Sequence, residues 1–177
     1  MDPAVTALVV IDMQNGFVTS ASRHVVPVVA DLVGRWRRAG GATVFVRYSN
    51  PEGSPHERLL NWSRLRRAPE TDIVDELVPY LDEACAVIDK TVYSAFADGG
   101  ARIFARGGWS DLVFCGIATE NCVLKSAVDA FEHGYGPWIV RDATASHRGA
   151  EAHRAGLLVA SMFIGAHRLV DAVDLPV

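Results

Sequence analysis

Three side chains far apart in the chain offer its strongest chemistry: the carboxylate of Asp12, the ammonium of Lys90 and the thiol of Cys122. A carboxylate beside a thiol can take its proton and later return it to a leaving group. A fixed cation lowers the thiol pKa and keeps the carboxylate ionised. Each residue also has a plainer reading. A strand-end aspartate often caps a turn, most lysines are surface charges, and most free cysteines are packing residues. Lys90 stands out because it and Lys125 are the only lysines among 17 lysine and arginine residues. The three together are far more specific than any one of them.

Cys122 carries the sharpest expectation. Thr119 reads as a helix N-cap, which would put Cys122 at the third helical position. There the helix dipole and free backbone N–H groups favour an anion, so the thiol pKa is expected to fall. The same N–H groups could receive an oxyanion. Cys85 and Cys115 are read as structural. Three cysteines with no Cys-x-x-Cys pair argue against a disulfide framework or a thiolate zinc site, and they fit a reducing, cytoplasmic setting.

The elements that must position these groups alternate short apolar runs with amphipathic stretches. Ala7–Ile11, Thr43–Val46, Ala86–Ile88, Leu112–Cys115, Trp138–Val140 and, more weakly, Leu169–Val170 read as strands. Helical patterns cover Val25–Ala39, Thr71–Leu81, Ala101–Arg106, Asn121–His133 and Gly149–Ile164, with glycines at 40, 41, 107, 108 and 134 where helices should stop. Such alternation predicts an α/β protein whose parallel sheet carries helices on both faces. Ligands of such sheets bind beyond the carboxyl ends of the strands, where strand order reverses. Asp12, Lys90 and the stretch ending at Cys122 each follow a strand, so they should converge on one edge.

A chain of 177 residues, 50% hydrophobic and 21% charged, predicts one folded domain over residues 1–177. A net charge of −4 argues against binding nucleic acid or an anionic membrane through bulk charge. The opening Met1-Asp2-Pro3 leads directly into a strand-like run, without the pattern of a signal peptide. The longest apolar stretch, Ala155–Ala166, is too short to span a bilayer. The irregular stretch Ser49–Glu70 reads as a functional loop or a solvated insertion, and its Arg64, Arg66 and Arg67 as a solvated cationic face.

Three blocks together are similar to the isochorismatase-like cysteine hydrolase family: Ile11-Asp12-Met13-Gln14, Ile88-Asp89-Lys90 with Tyr93-Ser94-Ala95-Phe96, and Cys115-Gly116-Ile117-Ala118-Thr119-Glu120-Asn121-Cys122-Val123. The resemblance runs from Ala7 to about Val170. It implies a three-layer α/β/α fold with a six-stranded parallel sheet in the order 3-2-1-4-5-6. It implies a catalytic triad of Asp12, Lys90 and Cys122. It also implies a cis peptide between Ile117 and Ala118, which would aim the Ala118 N–H, with that of Cys122, at an oxyanion.

The presence of Cys122 points to hydrolysis of an amide, ureide, carbamoyl or lactam C–N bond of a small molecule through a thioester. One alternative is a vinyl-ether hydrolase of the isochorismatase type, with Asp12 as acid and Cys122 a spectator. Another is a non-catalytic small-molecule-binding or thiol redox-sensing domain. Nicotinamidases of the family have an Asp-x-His metal pair after the second strand. Here that segment reads Tyr48-Ser49-Asn50-Pro51-Glu52, with His56 unpartnered at ligand spacing, so no metal and no other cofactor are expected. The remaining histidines are expected at the surface or at helix ends. Phe17, Trp62, Tyr93 and Phe96 are candidate pocket walls, and Gln14 is a candidate partner of a substrate amide or of Asp12. The resemblance further implies a homodimer or homotetramer, with pocket walls drawn in part from a neighbour.

Overall fold

The computed structural model describes all residues, Met1–Val177. Six parallel strands form one sheet: β1 (Thr6–Ile11), β2 (Ala42–Tyr48), β3 (Ala86–Lys90), β4 (Asp111–Ile117), β5 (Gly136–Ala145) and β6 (Leu169–Val170), in the order β3-β2-β1-β4-β5-β6. All of β1 is buried, as expected of a central strand covered on both faces. Alternation sends its residues to two cores. Leu8 and Val10 pack with Val29, Leu32, Val33 and Trp36 of α1 (Val26–Arg38). Ala7, Val9 and Ile11 face the other layer. There they meet Phe104 of α3 (Gly100–Gly107), Ala127 and Ala130 of α4 (Leu124–Glu132), and Ala160 and Ile164 of α5 (Ala150–Ile164). Each large apolar side chain sealed in these layers contributes roughly 1.5–3 kcal/mol.

Strand order reverses between β1 and β4. The chain runs outward through β2 and β3, then crosses to β4 and continues through β5 and β6. The crevice at the carboxyl ends of β1 and β4 is therefore the place a ligand should enter. The two strands approach closely there because Gly116, opposite Ile11, has no side chain: a Cβ would lie 2.1 Å from the Ile11 carbonyl oxygen. Between β4 and β5 the register shifts after Phe114, an irregularity of the kind that redirects a strand end, and β5 runs on to Ala145.

Two expected helices come out differently. Only Val78–Tyr80 of the stretch Thr71–Leu81 is helical, as a single 3₁₀ turn. The rest is extended against the loop after β1: Gln14 bridges Ile73, the Val74 N–H donates to Met13, and the Asn15 N–H donates to Asp72. The 3–4 spacing of Ile73, Val74, Leu77 and Leu81 buries three of these side chains without a helix, because the backbone groups find partners elsewhere. The helix expected from Asn121 instead begins with a π-helical segment, Thr119–Val123, before α4. Within Ser49–Glu70 lies one short helix, α2 (Pro55–Leu60), capped by the Ser54 hydroxyl.

Candidate active site

Asp12 is the first residue after β1, Lys90 the last of β3, and Cys122 lies in the π-helical turn after β4. The three side chains meet. Lys90 Nζ donates to Asp12 Oδ2 at 2.7 Å, to the Val92 carbonyl at 3.1 Å and to Cys122 Sγ at 3.4 Å. These three acceptors account for every proton an ammonium can donate. Lys90 reaches the switch point from two strands away because it shares a face with Tyr48, its register partner on β2, and lies 5.2 Å from the centre of that ring. Asp12 adopts a left-handed backbone conformation (φ 48°), which aspartate tolerates better than most residues. Its second oxygen, Oδ1, is buried and has no hydrogen-bond partner in the chain.

Asp12 and Lys90 are fully buried, and Cys122 is 6% exposed. Burial pushes the Asp12 carboxyl up, and Lys90 offsets only part of this. Burial works against the Lys90 ammonium, but Asp12 and then Cys122 outweigh it and hold its pKa above the ordinary lysine range. Burial also pushes the Cys122 thiol up, and the Asp12 charge adds to that. The expected lowering of the thiol pKa is therefore corrected: the Asp12 charge opposes that of Lys90, and little water remains to solvate a thiolate. Nor is Thr119 the cap. The N-cap is Ala118, and the Thr119 hydroxyl pairs with His153 Nδ1 at 2.8 Å. The Ile117–Ala118 peptide bond is cis.

Above the triad lies a cavity of about 250 Å³ whose floor includes Ala118 and Cys122. Phe17, Trp62 and Tyr93 are walls of it. Phe96 and Gln14 are not. Phe96 packs in the core against Phe104, ring centroids 4.7 Å apart, because it continues the turn onto α3. Gln14 spends its amide on the backbone: it donates to the Tyr48 and Thr71 carbonyls and accepts from the Tyr48 N–H. It holds neither Asp12 nor a site open to a ligand.

The remaining walls include Tyr48, His56, Asn121, His147 and Arg148. Placing His56 and His147 there corrects the reading of the histidines as peripheral. His56 packs edge-on to Tyr93 and Tyr48, and His147 lies against Phe17 at 5.7 Å. Burial lowers the pKa of both. Tyr48 Oη, His56 Nδ1 and His147 Nδ1 are buried without partners in the chain, so they are available to a polar substrate. One signal could have found part of this set: Tyr48 ends β2, and His147 and Arg148 closely follow β5. Arg64 and Arg66 pair instead with Glu70 and Glu57 and face solvent.

The donors do not fit a metal ion. No group of three or more His, Cys, Asp or Glu side chains converges. After β2, Asn50 commits its amide to the Trp62 and Arg64 carbonyls and its oxygen to Ser54. It ties the loop together rather than opening a ligand site.

A parallel sheet with an acid, a cation and a thiol at its switch point is the arrangement of a hydrolase with a cysteine in its site. Residues 6–167 match the isochorismatase domain model, and the chain belongs to this family. It is 30% identical over 200 residues to the ureidoacrylate amidohydrolase RutB of Methylobacterium radiotolerans, spanning 93% of this chain and 76% of that one. It is 27% identical over 172 residues to nicotinamidase 3 of Arabidopsis thaliana, spanning 94% and 85%. The N-carbamoylsarcosine amidase structure from Thermoplasma acidophilum shares the fold, with a TM-score of 0.83, 24% identity and coverage of 97% and 99%. The chain is thus an amidohydrolase-type member of the family, a hydrolase of C–N bonds other than peptide bonds. No helix is long and apolar enough to cross a membrane.

Proposed function

We propose that this protein cleaves a C–N bond of a small amide, ureide, carbamoyl compound or lactam through a thioester on Cys122, without a metal. The observation that carries the reading is the contact of Lys90 Nζ with both Asp12 (2.7 Å) and Cys122 (3.4 Å) beneath the cavity. A buried carboxylate of raised pKa is a stronger base than an exposed one, and a protonated thiol needs such a base.

Asp12 takes the thiol proton as sulfur attacks the carbonyl carbon. The oxyanion is met by the N–H groups of Ala118 and Cys122, and the Ala118 N–H has no acceptor in the chain. The C–N bond breaks as Asp12 hands its proton to the departing nitrogen. Water, deprotonated by Asp12, then attacks the thioester. The C–S bond breaks, the acid departs, and the proton returns to sulfur. Lys90 stays protonated throughout and holds the carboxylate and the sulfur in register.

The test is a panel of amides, ureides and lactams that includes nicotinamide and ureidoacrylate, read by release of ammonia or amine. Mass spectrometry of quenched enzyme should find an acyl adduct on Cys122. Cys122→Ala should fold as the wild type does and lose turnover. Near-wild-type turnover by that variant, or pyruvate release from isochorismate with no amide turned over, would overturn the reading.

A further inference from the structure

Helix α5 has two apolar faces and only one of them is buried. Gly156, Ala160 and Ile164 point into the core. On the opposite side Leu158, Val159, Met162 and Phe163 stand in solvent, Met162 at 75% and Phe163 at 55% exposure. They recur at i, i+1, i+4 and i+5, the second stripe of a helix built to be covered on both sides. No charged residue interrupts Ala155–Ile164, and the one hydroxyl, Ser161, is turned back to the Leu158 carbonyl at 2.7 Å. A stripe this concentrated on one helix marks an interaction surface rather than chance exposure.

The stripe adjoins the cavity. Phe163 shares a groove with Leu124 and Val128 of α4, and Tyr93 and Asn121 line both this groove and the cavity. Tyr93, a cavity wall, is itself 38% exposed. Whatever covers the stripe therefore also covers one side of the cavity.

The charges select the occupant. Lys125 and Glu132 edge the same groove seven residues apart on α4, with Val128 between them. When two copies of α4 cross antiparallel about an axis near Val128, each Lys125 meets the other copy's Glu132. An isologous contact needs such self-complementarity. A lipid surface would call instead for a rim rich in lysine and arginine. We propose that a second copy of this chain docks on the α4–α5 face as a two-fold dimer and closes the Tyr93 side of the cavity. The closure rests on reading the cavity as the substrate site, whereas the dimer does not.

Sedimentation velocity of the full chain at micromolar concentration should return twice the chain mass of 19.1 kDa. Met162→Glu with Phe163→Glu should return the single mass while the circular dichroism spectrum is kept. Glu132→Lys should also dissociate the dimer, and adding Lys125→Glu should restore it. This charge swap keeps the proposal falsifiable if the double glutamate variant does not fold. The dissociated variants should show a several-fold higher KM for whichever amide the wild type turns over. A wild type of single mass, a dimer indifferent to both sets of changes, or a single-mass chain that sediments with phosphatidylserine vesicles would overturn the dimer. An unchanged KM in the dissociated variants would overturn the closure alone.

Discussion

The floor and the walls of the site are made differently. The floor comes from strand ends and the turn after them: Asp12, Lys90 and Cys122 are buried and locked to one another through a single ammonium. The walls come from connecting segments: Phe17 after β1, His56 and Trp62 in the long loop after β2, Tyr93 after β3, and His147 after β5. These side chains touch edge to face or loosely stacked, and several of their polar atoms have no partner. The floor can perform one reaction only. The walls can be changed one loop at a time, and they decide which molecules reach it.

Changes to the floor should be the most damaging. Asp12→Asn should lower turnover by about 10²–10⁴-fold, since every proton transfer runs through it, with substrate affinity little altered. In the wild type, turnover should fall on acidification at a pH above the ordinary carboxylate range of about 3.9, because burial raises the Asp12 pKa and a protonated Asp12 is no base. A rate profile flat to that value would place the base elsewhere. Gly156→Ala tests the floor from behind. Its Cβ would lie 2.8 Å from the backbone of Glu120, so α5 would push on the turn that carries Cys122. Steady-state kinetics should show kcat reduced by up to about 10²-fold, the order expected of a small misplacement of a reacting group.

Two aromatic residues separate wall from core. Trp62→Ala should raise KM by about 2–10-fold, the worth of one lost aromatic contact, and leave kcat near the wild type. Phe96→Ala should leave both constants alone and cost about 3–5 kcal/mol in denaturant unfolding. The reverse pattern would mean that the walls have been assigned to the wrong residues. The smallest effect concerns pH and stability. His56 and His147 have folded-state pKa values below the unfolded one of about 6.5, so the unfolded chain takes up their protons first as pH falls. Their contribution is complete above that value and is lost below it. The thermal midpoint should therefore drop between about pH 7.5 and about pH 5.5, and His147→Gln should make the slope shallower.

The same division governs what could be read from the sequence. Strands were legible because a strand covered on both faces must be a continuous apolar run, as Ala7–Ile11 is. The reacting groups were legible because each directly follows such a run, and because their motifs carry a family resemblance. The walls were mostly illegible. His56 and Trp62 sit in a loop whose path depends on Asn50, Ser54 and a cis peptide before Pro69, and none of these has a period. Gln14 misled because an amide beside Asp12 looks available until the extended strip at Ile73 is known to need it. The protonation of Cys122 was out of reach for a different reason. The effect of a helix N-terminus can be anticipated from residue spacing, but burial, which overrides it here, depends on every element packed around the sulfur.

Lys90 has no hydrogen left to lend. On the proposed route, a proton lifted from sulfur has one resting place, and that place must empty before it can serve again. The nitrogen product has to carry the proton out of the crevice before an incoming water can surrender its own. Two half-reactions that overlap in other hydrolases are thereby forced into strict succession, with amine released first and acid second.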